Sequence, residues 1–182
     1  QNHDIERGCV QMQAGKAKEA EQFAATWTTA HPKDARFSAY LAEAALGRKD
    51  YAAAEKLYLG VLQLQPDSAL ALNNLAWVTL QLQKDGALAY SEKANQLAPK
   101  QPQFMDTLAM VLSAKGEHAK AIELQTQAVA LQPANNALKL NLARIYVAAG
   151  DKARAKAELD ALAKLNGGRP IQTEVADLLK TL

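Results

Sequence analysis

Residues 105–165 read MDTLAMVLSAKGEHAKAIELQTQAVALQPANNALKLNLARIYVAAGDKARAKAELDALAKL, and this stretch decides the fold. Apolar residues recur in it at spacings of three and four, which places side chains along one face of an α-helix. Turns at Gly116 and Gly150 interrupt the pattern, and Pro133 divides the stretch into two copies of one helix–turn–helix unit. The pattern predicts paired helices with alanine where they cross, because a small side chain lets two backbones approach closely.

The same unit recurs along the whole chain. Four prolines lie 34, 33 and 34 residues apart, and each follows an alanine- or leucine-rich stretch: Pro32, Pro66, Pro99 and Pro133. Because proline lacks an amide hydrogen and its ring clashes with the preceding turn, each one is predicted to end a helix. The single 33-residue interval predicts that the turn at residues 83–86 is one residue shorter than its equivalents.

These residues resemble the tetratricopeptide repeat over essentially the whole chain, with packing positions such as Leu75, Leu108 and Leu142 falling in phase. The resemblance implies an all-α fold, a right-handed α-solenoid that forms a single superhelix of five helix–turn–helix repeats. The predicted repeats are residues 1–34, 35–68, 69–101, 102–135 and 136–169. A helix at residues 170–182 is predicted to cap the last repeat with an apolar face of Ile171, Val175, Leu178, Leu179 and Leu182.

Composition and spacing disfavour several function classes. The 182 residues carry a formal charge of +2 with acids and bases interspersed, so no basic stripe marks a nucleic-acid interface. Cys9 and the three histidines are scattered without the spacing of a metal site or of a nucleophile–base pair. Gly167–Gly168 follows no predicted strand and is expected to end a helix rather than to bind phosphate. We therefore expect no enzymatic activity, no cofactor and no metal.

The resemblance implies a concave groove lined by the first helix of each repeat, where a peptide or partner protein would bind. Asn74 and Asn141 precede packing leucines at a position where many peptide-binding members of the family carry asparagine. A side-chain amide both donates and accepts, so it can bind the backbone of an extended peptide. Solvation or local capping by the asparagines, and packing by Trp77, are the alternatives. The residues predicted to face the groove are Tyr40, Glu43, Asn73, Asn74, Trp77, Asp106, Met110, Asn141 and Arg144.

Other functions remain alternatives to a peptide-binding adaptor. Family members that hold the acidic tails of chaperones use a clamp of lysine, asparagine and arginine, whereas the corresponding surface here has Ala39, Glu43, Asn74, Gln103 and Thr107. That partner is therefore disfavoured. A second class is an architectural module of a secretion or assembly complex, which would form homo-oligomers through its outer faces. An enzyme that processes glycans is the third class, and it would need convergent acids or a metal.

Four phrases point to a narrower group: NNLAW at 73–77, ANQLAP at 94–99, MDTLA at 105–109 and GDKA at 150–153. They resemble the C-terminal half of tetratricopeptide repeat lipoproteins of the exosortase/PEP-CTERM exopolysaccharide system, which are PrsT-like. This resemblance implies a periplasmic protein held at the outer membrane by a lipidated cysteine upstream of Gln1, since no apolar leader precedes Cys9. The segment itself has no apolar run long enough to insert into a membrane. A cytoplasmic location is the alternative.

Overall fold

The computed structural model of the chain describes residues 17–165 and 169–182, and no strand occurs in that part. Its helices in chain order are α1 Ala17–Ala30, α2 Arg36–Gly47, α3 Tyr51–Leu64, α4 Ala69–Gln81, α5 Ala87–Leu97, α6 Pro102–Ala114, α7 His118–Leu131, α8 Asn136–Ala148, α9 Lys152–Ala163 and α10 Arg169–Leu179. The predicted all-α fold is confirmed. Predictions that concern Cys9, the first helix of the first repeat and the pair Gly167–Gly168 lie outside the described residues.

The helix boundaries follow the repeat period. Helices α2, α4, α6 and α8 each begin within one residue of a predicted repeat start. Helices α1, α3, α5 and α7 each end two residues before one of the four periodic prolines, as predicted for a residue that cannot continue a helix. In several helix pairs a side chain caps the start of a helix. For example, Ser68 Oγ accepts a hydrogen bond from the Ala71 amide at 3.3 Å, at the start of α4.

The predicted short turn at residues 83–86 is wrong. Five residues separate α4 from α5, whereas three separate α2 from α3, α6 from α7 and α8 from α9. The missing residue does lie in this segment, because Gln83 is four residues before Ala87 whereas Gly116 is five before Ala121. The connection is nevertheless longer because α5, with 11 residues against 14 in α3 and α7, begins later. Gly86 precedes α5 with a φ of 105° and no side-chain cap. This backbone conformation, which glycine adopts readily, delays the start of the helix until Ala87.

The described part of the chain divides into two compact units, the first ending at Gln83 and the second beginning at Lys84. In the first unit, Trp27, Phe37 and Leu41 form an apolar cluster between α1 and α2. Alanines at the helix crossings have no exposed surface in either unit, as predicted for close approach of backbones: Ala42, Ala45, Ala54, Ala109, Ala121, Ala128, Ala143 and Ala155. Leu108, which its repeat position marks for packing, is only half-buried.

Helix α10 caps the last helix pair of the second unit, as predicted. Val175 is 1% exposed and packs with Leu140, Leu159 and Leu162 of α8 and α9. Ile171, Leu178, Leu179 and Leu182 extend this contact, whereas Glu174, Asp177 and Lys180 face solvent. Within the described parts of the chain, no helix combines the length and hydropathy needed to cross a bilayer.

Candidate partner-binding surfaces

The nine residues predicted to face a groove fall on three positions of the repeat. All lie on first helices: α2, α4, α6 or α8. The first-unit set consists of Tyr40, Glu43, Asn73, Asn74 and Trp77, and the second-unit set consists of Asp106, Met110, Asn141 and Arg144. One groove that continues through both sets stays a prediction.

Tyr40 and Glu43 lie one turn apart on α2. The Tyr40 ring is half-buried and lies nearly parallel to the Phe37 ring, with 6.5 Å between the ring centroids. It packs against the Trp27–Phe37–Leu41 cluster, so much of its surface stabilises the fold. Glu43 is exposed and is available to a partner.

Asn73 and Asn74 are adjacent on α4 but lie in different environments. Asn74 Nδ2 donates to Tyr58 Oη at 3.1 Å, and Asn73 Nδ2 donates to Asn74 Oδ1 at 3.4 Å. Asn73 is only 7% exposed, so the prediction that it faces an open groove is wrong. Consecutive residues of a helix point about 100° apart, which leaves Asn74 half-buried while Asn73 is buried. Trp77, one turn further on, is half-buried.

Tyr58 is a contact of the first-unit set that the sequence pattern did not assign to the site. It lies on α3 and is 2% exposed, and burial raises the pKa of its phenol while the Asn74 hydrogen bond acts in the opposite direction. The repeat period could have indicated that Tyr58 is buried beside the first helices. Buried side chains of varied polarity occupy the same position of each second helix: Tyr58, Ser91, Gln125 and Leu159.

Asp106 is the centre of the second-unit set. Asn141 Nδ2 on α8 donates to its two carboxylate oxygens at 3.0 and 3.1 Å, and Gln125 Nε2 on α7 donates to Oδ1 at 2.6 Å. Gln125 Nε2 also donates to the Leu138 carbonyl at 2.9 Å. Burial raises the pKa of Asp106, and the two amide hydrogen bonds and the Arg144 charge offset part of this rise.

Arg144 continues the contacts of Asp106 outward. Its Nη1 donates to Asn141 Oδ1 at 3.0 Å, and its Nη2 donates to Glu174 Oε2 on α10 at 2.7 Å. The side chains of Arg144 and Glu174 are 37% and 49% exposed. The four residues Asp106, Asn141, Arg144 and Glu174, with Gln125, form what we call the polar network. It holds a guanidinium in place at the surface with donors to spare, because arginine carries five N–H groups.

The structure therefore brings Asp106, Asn141 and Arg144 together and separates Met110 from them. Met110 is half-buried and packs against Ala109, Ala121 and Ile145. Gln125 and Glu174 are members of the polar network that sequence reasoning missed. Gln125 could have been found from the sequence, because it is a polar residue at the repeat position that Tyr58 and Leu159 occupy on other second helices. Glu174 is exposed, and its pairing with Arg144 joins residues 30 positions apart, so it has no local signature in the sequence.

Comparison with known families decides the classification. Family models described as tetratricopeptide repeat match residues 5–69 and 112–179. The chain belongs to the tetratricopeptide repeat family. No curated protein sequence matches it significantly. Proteins of this family are typically interaction scaffolds, and no group of three or more His, Cys, Asp or Glu residues in the described ranges could hold a metal.

Solved structures of other tetratricopeptide repeat proteins share the fold. A tetratricopeptide repeat protein from Parabacteroides merdae ATCC 43184 matches with a TM-score of 0.84 and 18% identity, over 98% of this chain and 70% of that one. PilW, a widely conserved type IV pilus biogenesis factor, matches at 0.77 and 19%, over 98% and 86%. YrrB, which has an unusual peptide-binding site, matches at 0.71 and 14%, over 96% and 90%. At these identities the similarity establishes the fold alone.

Proposed function

We propose that this tetratricopeptide repeat protein is a non-catalytic scaffold that binds an extended segment of a partner protein on its first-helix surfaces. The polar network is the observation that carries the proposal. Its Arg144 is partly exposed, fixed by Asn141 and Glu174, and retains unused donors. A side chain that is already ordered loses less entropy on binding than a free one, and arginine is enriched among residues that dominate binding energy.

The first-unit set supports the same role with different chemistry. Asn74 is half-buried and oriented by Tyr58, and Trp77 is a half-buried aromatic surface one turn away. An oriented amide beside an indole suits an extended peptide, since the amide binds backbone groups and the ring packs on side chains. The peptide-binding site of YrrB is a precedent within the same fold.

The experiment selects linear peptides from a displayed random library on the immobilised protein and measures their affinity by fluorescence anisotropy. We expect Arg144→Gln to weaken the selected peptides by about tenfold, which corresponds to about 1.4 kcal/mol. Glu174→Gln is the matched control, because it breaks the same ion pair and leaves the guanidinium in place. An unchanged affinity in Arg144→Gln, or an equal loss in both variants, would contradict binding through Arg144.

An architectural module is the second candidate function, and one observation favours it. Exposed leucines recur at one repeat position of the second unit: Leu97, Leu131 and Leu165 are 42%, 49% and 42% exposed. A recurring apolar surface can hold a second copy or another subunit. Light scattering over a wide concentration series tests this role. A mass that rises with concentration and falls back in Leu131→Ser would favour the module, and a constant monomer mass would exclude self-association.

We also propose that the protein acts in a bacterial envelope system that exports exopolysaccharide or protein. The support is the set of four phrases shared with PrsT-like lipoproteins, and PilW provides an example of this fold in pilus biogenesis. The protein would then be periplasmic and associated with the outer membrane through an upstream lipid anchor. Fractionation of cells that express the complete reading frame tests this location. Recovery in the cytoplasmic fraction would overturn it.

A further inference from the structure

A cavity of about 490 Å³ opens in the first unit between α1, α2 and α3, away from the first-unit set. Its walls are mainly apolar and include Ala24, Leu41, Ala53 and Leu57. Cavities of a few hundred Å³ with apolar walls and a few polar groups are typical of small-molecule sites. This volume is therefore large enough for a ligand.

Beside this cavity, two residues of α1 differ in size from their equivalents in the other repeats. Ala24 occupies the repeat position of Tyr58, Ser91, Gln125 and Leu159, and it is smaller than all of them. Trp27 occupies the position of Val61, Ala94, Ala128 and Leu162, and its buried ring packs on Phe37 and Leu41. Trp27 thus fills the space between α1 and α2 at one point, while Ala24 lines the open space beside it.

The charges at this cavity have one sign. Arg48 and Lys56 are exposed and line the cavity, and its lining includes no carboxylate. Arg48 meets Asp50 only through an exposed pair at 3.8 Å, and Lys56 has no ion pair with a described residue. The Thr28 and Thr29 hydroxyls donate to carbonyls one turn earlier at 2.8 and 2.9 Å. Their oxygens can still accept a hydrogen bond.

We propose that this cavity is a binding site for a single-chain fatty carboxylate, with the hydrocarbon chain between α1 and α3 and the carboxylate at Arg48 and Lys56. Apolar walls remove the chain from water, and two cations at the rim match one anionic head group. The lining shares no residue with the first-unit set, although Leu41 also belongs to the cluster against which Tyr40 packs.

The test titrates dodecanoate below its micelle concentration into the complete chain by isothermal calorimetry. Dodecyltrimethylammonium, which has the same chain and the opposite charge, is the comparison ligand. We expect saturable binding of one dodecanoate, at least about tenfold tighter than binding of the cation. The absence of saturable dodecanoate binding, or equal affinity for both amphiphiles, would overturn the proposal.

Variants separate the two parts of the site. Ala24→Phe places a large ring at the repeat position of Tyr58 and should abolish binding while it leaves both cations in place. Ala53→Leu is the second cavity-filling variant if the first does not fold.

The double variant Arg48→Gln with Lys56→Gln should weaken the binding of dodecanoate by about tenfold. The control pair Lys115→Gln with Lys120→Gln, exposed in the second unit, should bind as the wild type does. Binding that survives a folded cavity-filling variant would place the ligand elsewhere.

Discussion

Asp106 is a carboxylate held by amide groups of two neighbouring helices. Burial disfavours its charged form, and its pKa is raised above the ordinary 3.8 although Asn141 and Gln125 both donate to it. The folded protein therefore binds more protons than the unfolded chain between the unfolded and folded pKa values. The stability contributed by this group is fully present below the unfolded pKa and is lost as the pH rises through the folded pKa.

Asp106→Asn should remove this pH dependence. We expect the free energy of unfolding of the wild type, measured relative to the variant, to fall between about pH 4 and about pH 7. Asp34, whose pKa Arg36 lowers to about 2, and Asp151 act in the opposite direction, but they are present in both proteins and cancel in the difference. Urea unfolding of both proteins at both pH values measures this difference in the free energy of unfolding. A difference that stays constant with pH would contradict a raised pKa for Asp106.

Buried and exposed leucines should differ sharply in their contribution to stability. Leu159 has no exposed surface, so Leu159→Ala should cost about 2 to 5 kcal/mol through lost burial and a new cavity. Leu165, 42% exposed, is the matched control and should change stability by less than about 0.5 kcal/mol on truncation to alanine. Truncation of the half-buried Leu108 to alanine should cause a loss of stability between these two values. Equal melting temperatures for the first two variants would refute the assigned packing.

At the scale of the helices, each turn between a first and a second helix has a residue with positive φ at the same repeat position, and the α4–α5 turn also contains Gly86. Lys49, Gln83, Gly116 and Gly150 have φ values of 60°, 55°, 82° and 77° and occupy equivalent repeat positions. The amide of the following residue closes three of these turns; Asp151, for example, donates to the Tyr146 carbonyl at 2.9 Å. This is the pattern of a Schellman C-cap, for which glycine is the preferred residue.

Exchanging residues at this position should move stability in opposite directions. Lys49→Gly should stabilise the protein by about 0.5 to 1 kcal/mol, because the relief of left-handed strain exceeds the entropy that glycine loses on folding. Gly150→Ala should destabilise it by about 1 kcal/mol, although no atom lies within 4 Å of the added carbon. Urea midpoints measure both changes. A loss of stability in Lys49→Gly would show that the lysine side chain has a role beyond the turn.

At the scale of the whole molecule, each unit is stabilised by contacts between helices that are close in sequence. In the second unit, α6 packs on α7, α7 on α8 and α8 on α9, and α10 covers the end. Stability in such arrays is approximately a sum of repeat terms and nearest-neighbour terms. The capping helix should therefore stabilise its neighbours most.

Val175→Asp tests this dependence on neighbours. A carboxylate at a position that is 1% exposed should lower the stability of the second unit by about 2 kcal/mol or more, because burying an unpaired charge is costly. Amide hydrogen exchange should rise most in α8, α9 and α10 and least in α5. Asp177→Asn, exposed on the same helix, is the control. A uniform rise throughout the second unit would indicate a single cooperative core instead.

The sequence by itself determined the helices, the helix ends before the four prolines, the alanine crossings and the cap, because each depends on spacings shorter than one repeat. The late start of α5 was not predicted. The sequence also marked the first-helix positions that carry Asn74 and Asn141. Only the tertiary structure decided which polar groups meet. Asp106 and Asn141 are 35 residues apart, and Arg144 and Glu174 are 30 apart. Those pairings, the burial of Asn73 and the cavity beside Ala24 depend on which helix faces come together in space, and no local spacing in the chain encodes that.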